Sequence, residues 1–232
     1  MLTRLGKDDP FPPVWKALPY PDGLLAFGAD LSPERLLDAY RRGIFPWFGP
    51  EDPILWWSPD PRLVLFPDRL KISRSLRRRL RRGDFEIRVD TAFRQVMQAC
   101  AEPRPGADGT WISPEMVEAY CRLHRLGHAH SVESWRNGNL VGGLYGLALG
   151  KAFFGESMFS RESDASKAAF AHLVLQLSRW DYGLVDCQVR TGHLVSLGAE
   201  EISRSEFTAR LDTLTSRDGD RGKWTFDHDL VR

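Results

Sequence analysis

At 232 residues, with 42% hydrophobic and 27% charged side chains and a net charge of +1, the chain is built to bury a sizeable core without outside help. Its three cysteines, at 100, 121 and 187, form no C-x-x-C pair, which excludes a disulfide-built secreted domain and predicts a cytoplasmic setting. No apolar signal core opens the sequence and no stretch is long enough to span a bilayer, so no membrane association is expected.

Residues 1–61, rich in Pro, Gly and aromatics, are expected to form a small N-terminal domain. They hold one helix, with Asp30 or Ser32 as cap and Pro33 in its first turn. Leu36, Leu37, Ala39 and Tyr40 form its apolar side and Gly43 its stop. The segment GIFPWFGPEDPILWWSPDPR reads as an aromatic loop, since prolines at 46, 50, 53, 59 and 61 forbid long regular elements. Trp56 and Trp57 are assigned to packing between domains. From residue 62 the pattern changes. RLVLF is a strand; Ser73 opens a helix carrying Leu76 and Leu80 and ended by Gly83; FEIRV is a strand. Helices are expected over Asp90 to Cys100 and from Ser113-Pro114-Glu115 to about Leu126. Strands His130–Arg136 and Leu140–Leu149 flank Asn137-Gly138, a strong hairpin signal, and Ala152–Ser157 continues the sheet. A helix from Ser163 or Asp164 to about Arg179 and a buried strand after Gly183 follow. The tail from about residue 216 is polar and expected to be loosely held. The fold class is therefore α+β: a small N-terminal domain, and a larger domain over 62–232 with a mixed, mainly antiparallel central sheet flanked by helices. Its order of elements resembles the GNAT acetyltransferase superfamily.

Several residues carry possible chemistry. On the strand after Gly183, Asp186 and Gln188 should share a face and Cys187 the other. A carboxylate at the end of an apolar strand is either hydrogen-bonded to loop amides or part of a site. In Phe153-Phe154-Gly155-Glu156-Ser157-Met158-Phe159, alternation groups Phe154 with Glu156 and Met158, unless a bulge at Gly155 reorders them. The plain alternative is a sheet core with Glu156 at its rim. Trp47 and Trp111, beside turns at Pro46 and Gly109, suit base stacking, although core packing is the usual fate of a tryptophan. Between Arg69 and Arg82 stand eight Lys/Arg and no acid, too lopsided for an ordinary solvated face, and an anionic partner is expected there. His124, His128 and His130 have no completing Cys or acid nearby, and no metal is expected.

Longer segments carry a more specific signal. Gly23-LLAFGADLSPERLLDAYRRGIFPWF, Pro53-ILWWSPDPR, Gly109-TWIS, Leu140-VGGLYG, Phe154-GESMFSR, Ala165-SK, Val185-DCQ and His193-LVSLGAEEI resemble, in order, the leucyl/phenylalanyl-tRNA–protein transferase family. The resemblance implies a GNAT-like catalytic domain. It also implies transfer of Leu, Phe or Met from aminoacyl-tRNA to proteins beginning with Arg or Lys, marking them for N-degron degradation, with no cofactor. It assigns catalytic roles to Asp186, Gln188 and Glu156, and contact with the tRNA's 3′-adenosine to Trp47 and Trp111. An apolar donor pocket is expected from Leu144, Phe153, Met158, Phe170, Leu173 and Val185. The tRNA backbone is expected against Lys71, Arg74, Arg77, Arg78, Arg81 and Arg82, read by shape. A monomer is the expected state. Two rivals stand beside this reading. An acetyl-CoA-dependent GNAT acetyltransferase needs a glycine-rich pyrophosphate loop, where this chain has SRESDASKAA. A non-catalytic RNA-binding adaptor would leave Asp186, Gln188 and Glu156 idle.

Overall fold

The computed structural model describes residues 2–103 and 110–231, so the turn expected at Gly109 lies outside the described residues. The first part contains β1 (Thr3–Leu5), β2 (Leu24–Gly28), α1 (Pro33–Arg41), β3 (Phe45–Pro46) and β4 (Leu55–Trp57). Its strands make a small sheet in the order β1-β2-β4-β3. The sequence reading missed β1 and β2, and the aromatic loop contains two short strands. Ser32 caps α1 through the Arg35 N–H.

The second part runs β5 (Arg62–Leu65), α2 (Arg74–Arg82), β6 (Glu86–Val89), α3 (Phe93–Ala101), α4 (Pro114–Arg125), β7 (Ala129–Arg136), β8 (Asn139–Leu149), β9 (Ala152–Ser160), α5 (Ala165–Arg179), β10 (Leu184–Gln188), α6 (Gly192–Ser196), β11 (Glu200–Ile202) and α7 (Arg204–Thr215). Ser73 and Ser113 cap α2 and α4 as expected, through the N–H groups of Leu76 and Met116. Asn137 and Gly138 both take positive φ, 51° and 76°, which the tight β7–β8 turn requires. The strands form one sheet, β11-β5-β10-β9-β8-β7-β6, antiparallel throughout except where β10 lies parallel to β9 after the α5 crossover. An antiparallel run, then a helix, then a parallel return strand is the GNAT-like arrangement.

The sheet separates two apolar cores. On one face α1, α3, α4, α7 and the small sheet gather around Tyr40, Trp56, Tyr120, Tyr145 and Phe154. On the other, α2, α5 and the C-terminal segment gather around Leu144, Phe153, Phe170, Val185 and Trp224. Trp56 is fully buried in the first core, its ring edge-on to Phe11, whereas Trp57 is half-buried and braces Trp47, with ring centroids 5.6 Å apart.

The tail expectation is overturned. Residues 216–231 form a fixed strap whose Trp224 is 3% exposed and lies flat on His130, 3.7 Å between ring centroids. Asp90 accepts the Trp224 N–H at 3.0 Å, and Gln176 accepts that of Asp227 at 2.7 Å. Trp224 and Leu230, both buried, anchor the strap despite its polar composition, with Phe226 and Val231 partly buried beside them. Among the described residues, no helix is long and apolar enough to cross a membrane.

Candidate active site

Strands β9 and β10 pair only through Phe154 and Asp186 and then part. A cavity of about 680 Å³ opens at the parting, reaching residues of both cores. Two irregularities shape it. On β9, Ser157 faces Tyr145 and Gly155 faces Gly146, so Glu156 is the extra residue of a bulge. The bulge reverses the alternation: Phe153 and Met158 fall on one face, Phe154 and Phe159 on the other. Only glycine fits opposite it, since a Cβ on Gly146 would sit 2.2 Å from the Phe154 carbonyl oxygen. On β10 the register slips between Asp186 and Gln188, and Gln188 takes a left-handed φ of 56°. Cys187 is the residue displaced. Its thiol is buried and pushed up by that burial, which leaves no reactive thiolate at neutral pH.

Glu156 stands at the centre. Tyr40 of α1 donates to its Oε1 at 2.7 Å, Tyr120 of α4 to its Oε2 at 3.1 Å, and Gln188 Nε2 reaches Oε1 at 3.4 Å. The two tyrosine hydroxyls also touch each other. Three oxygen–oxygen contacts thus share two hydroxyl protons. Burial raises the Glu156 pKa to about 7, with Tyr40 and Tyr120 pulling the other way and Asp186 adding to the rise. Burial also holds both tyrosines well above the usual phenol range.

Of the two readings of Asp186, hydrogen-bonded support or part of a site, the structure shows the hydrogen bonds. It is fully buried, and Arg62 grips both carboxylate oxygens, Nε at 2.8 Å and Nη2 at 2.7 Å. The Arg62 guanidinium lies between the rings of Phe45 and Phe207, 4.7 and 4.6 Å from their centroids. Asp186 Oδ1 also accepts the Gln188 N–H at 3.0 Å, fixing the left-handed turn that aims Gln188 at Glu156. An ion pair so enclosed is built for position.

Leu144, Phe153, Met158, Phe170 and Val185 line the cavity, and Trp47 and Trp111 stand on it too, Trp47 45% exposed. Leu173 does not line it. One helical turn beyond Phe170, it is fully buried in the core between α5 and the sheet. Phe154 belongs to the other core, edge-on to Tyr40. Lys71, Arg74, Arg77, Arg78, Arg81 and Arg82 are exposed, while Leu76 and Leu80 hold α2 to the body. Arg82 pairs with Asp84, and Arg79 turns inward to Asp84 and Asp164. The histidines have other duties: His124 stacks on Phe93 and bonds the Ala129 carbonyl, and His130 pairs with Asp90.

Sequence reasoning missed Tyr40, Tyr120 and Arg62. For Tyr40 one signal was present: a tyrosine on a buried helix face must find a partner for its hydroxyl.

The chain is similar to known proteins along its whole length. The profile of the leucyl/phenylalanyl-tRNA protein transferase family matches residues 64–212, and that of its N-terminal domain residues 29–60. Similar proteins named leucyl/phenylalanyl-tRNA–protein transferase occur in several bacteria. That of Nitrosomonas europaea is 61% identical, covering 98% of this chain and 96% of its own. That of Aromatoleum aromaticum is 63% identical, covering 97% and 95%. Among solved structures, L-PGS from Bacillus licheniformis is 14% identical with a TM-score of 0.38, covering 85% of this chain and 66% of that one. With identity near 60% over its whole length and family profiles matching both of its parts, the chain belongs to the leucyl/phenylalanyl-tRNA protein transferase family.

Proposed function

We propose that this chain moves Leu, Phe or Met from aminoacyl-tRNA to the N-terminal Arg or Lys of a protein, in the cytoplasm, as a monomer. The product is a peptide bond that marks the protein for N-degron degradation. The observation that carries the reading is a buried carboxyl of near-neutral pKa, held by two tyrosines and a glutamine in an apolar-walled cavity beneath two tryptophans. The small domain is taken to end near residue 61.

The donor ester is already activated, and the acceptor α-amine, with a reference pKa of about 7.7–8.0, is partly neutral at physiological pH. Its nitrogen attacks the ester carbonyl, a C–N bond forms, and the C–O bond to the ribose breaks. One proton leaves the nitrogen and one arrives on the ribose oxygen. Glu156 is matched to take the first and return it, while Gln188 holds the amine in line. Asp186 is a positioning residue, acting through Gln188. Leu144, Phe153, Met158, Phe170 and Val185 receive the apolar side chain. Trp47 and Trp111 receive the terminal adenosine, a stack worth about 1–3 kcal/mol per base.

The decisive experiment mixes the protein, Leu-tRNA and a peptide beginning with Arg, and weighs the product. One added leucine is expected. Phe- and Met-tRNA should serve too, Ile and Val poorly because their stiff branched Cβ crowds the ester, and Asp or Lys not at all. Charged tRNA bound without product would leave only an RNA-binding adaptor. Protection against melting by coenzyme A would favour an acetyltransferase.

The exposed side of α2 is assigned to tRNA phosphates. Replacing Arg77, Arg78 and Arg81 together by Gln should weaken tRNA binding and flatten its salt dependence. Each lost contact lowers the log–log slope by about 0.7–0.9. An unchanged slope would place the RNA elsewhere.

A further inference from the structure

The C-terminal strap does more than close the second core. Trp224 sits behind the donor cavity: its ring lies 6.0 Å from that of Phe153, which is 1% exposed and forms part of the cavity wall. The indole is fixed on every side. His130 lies flat against it, Trp180 meets it edge-on at 5.1 Å, and Tyr182 at 6.3 Å. Its Nε1 donates to the Asp220 carbonyl at 2.8 Å. The strap is tied in turn to α5, through Gln176 and Arg179 to Asp227, and to the β8–β9 turn, through Lys151 to Asp220. The Phe153 ring thus lies over Gly146 of β8 and is backed by the Trp224 indole of the strap.

We infer that Trp224 is a positioning residue for donor choice: by backing Phe153 it fixes the size of the cavity that receives the donor side chain. This rests on reading that cavity as the donor pocket. An apolar pocket discriminates only by how completely a side chain fills it, and a wall free to retreat favours the larger ligand. Removing the indole opens a void into which Phe153 relaxes. A Leu side chain then loses contacts that a Phe ring recovers by following the wall.

The test compares the full-length wild type with Trp224→Ala and Trp224→Phe, measuring kcat/KM for Leu-tRNA and Phe-tRNA on one Arg-initiated peptide. In Trp224→Ala, the ratio of Phe to Leu use should rise about fivefold, somewhat under the roughly tenfold lower end of what a whole pocket methylene commands, because the change acts through Phe153. Trp224→Phe should restore most of the original ratio. A general loss of folded protein lowers both donors alike and leaves the ratio unmoved, so an unchanged ratio overturns the inference. A crystal structure of Trp224→Ala gives an independent arm: Phe153 should shift toward the vacated space as the site partly collapses. If the wild type used neither donor, the reading of the pocket would fail, and the inference would be decided on this arm, where an unmoved Phe153 refutes it. Should Trp224→Ala not fold, Trp224→Leu, which leaves a smaller void, carries both measurements.

Discussion

Replacing Glu156 by Gln is expected to slow aminoacyl transfer by a factor of about 10²–10⁴, the usual worth of a positioned acid–base group, while making the protein more stable above neutral pH. Both effects have one cause. The Glu156 carboxyl titrates at about 7 in the folded chain against 4.5 for a free glutamate. Between those values the folded state holds a proton that the unfolded state has lost. Wild-type stability therefore falls as pH rises from 4.5 through 7, by roughly 3 kcal/mol in all, and stays lower above. The amide in Glu156→Gln cannot ionise, so the variant escapes that loss. Urea unfolding at pH 5 and pH 8 should show the variant gaining on the wild type as pH rises, and wild-type transfer should climb through pH 7. A variant keeping a tenth or more of the rate, or a stability difference equal at both pH values, would refute the assignment.

The pair Arg62 and Asp186 gives the second large effect. Asp186→Ala leaves a guanidinium fully buried without its carboxylate, and Arg62→Met leaves the reverse; each should cost about 3–5 kcal/mol and abolish transfer. Combining Arg62→Met with Asp186→Leu removes both charges and should recover most of the stability. It should not recover activity, because nothing then accepts the Gln188 N–H and the left-handed turn loosens. Denaturation midpoints and the mass-detected assay separate the outcomes. Single variants costing under about 1 kcal/mol would show that the pair is not a buried unit, and an active double variant would remove Asp186 from the site.

What the sequence revealed depended on distance along the chain. Ser32, Ser73, Ser113 and Asn137-Gly138 act on neighbours three residues away or fewer, and all were legible. Phe170 and Leu173 share one helical stripe, and periodicity cannot tell which meets the cavity and which the core. Tyr40 meets a carboxylate 116 residues onward and Arg62 one 124 residues onward, contacts that only the closed fold creates. The Gly155 signal for a bulge was readable, but which side chains it would turn inward was not. The strap has no period at all, so its polar composition hid Trp224.

The guanidinium held between Phe45 and Phe207 has a consequence for how the enzyme comes into being. The β5 strand that carries Arg62 is clamped by a residue from the last helix, and Glu156 is held by hydroxyls from residues 40 and 120. Such far-apart contacts form late in folding. A chain still emerging from the ribosome has no α7 and an unclamped Arg62. Arg62, and through Asp186 the Gln188 turn, therefore gain their last packing partner only once residue 207 is in place.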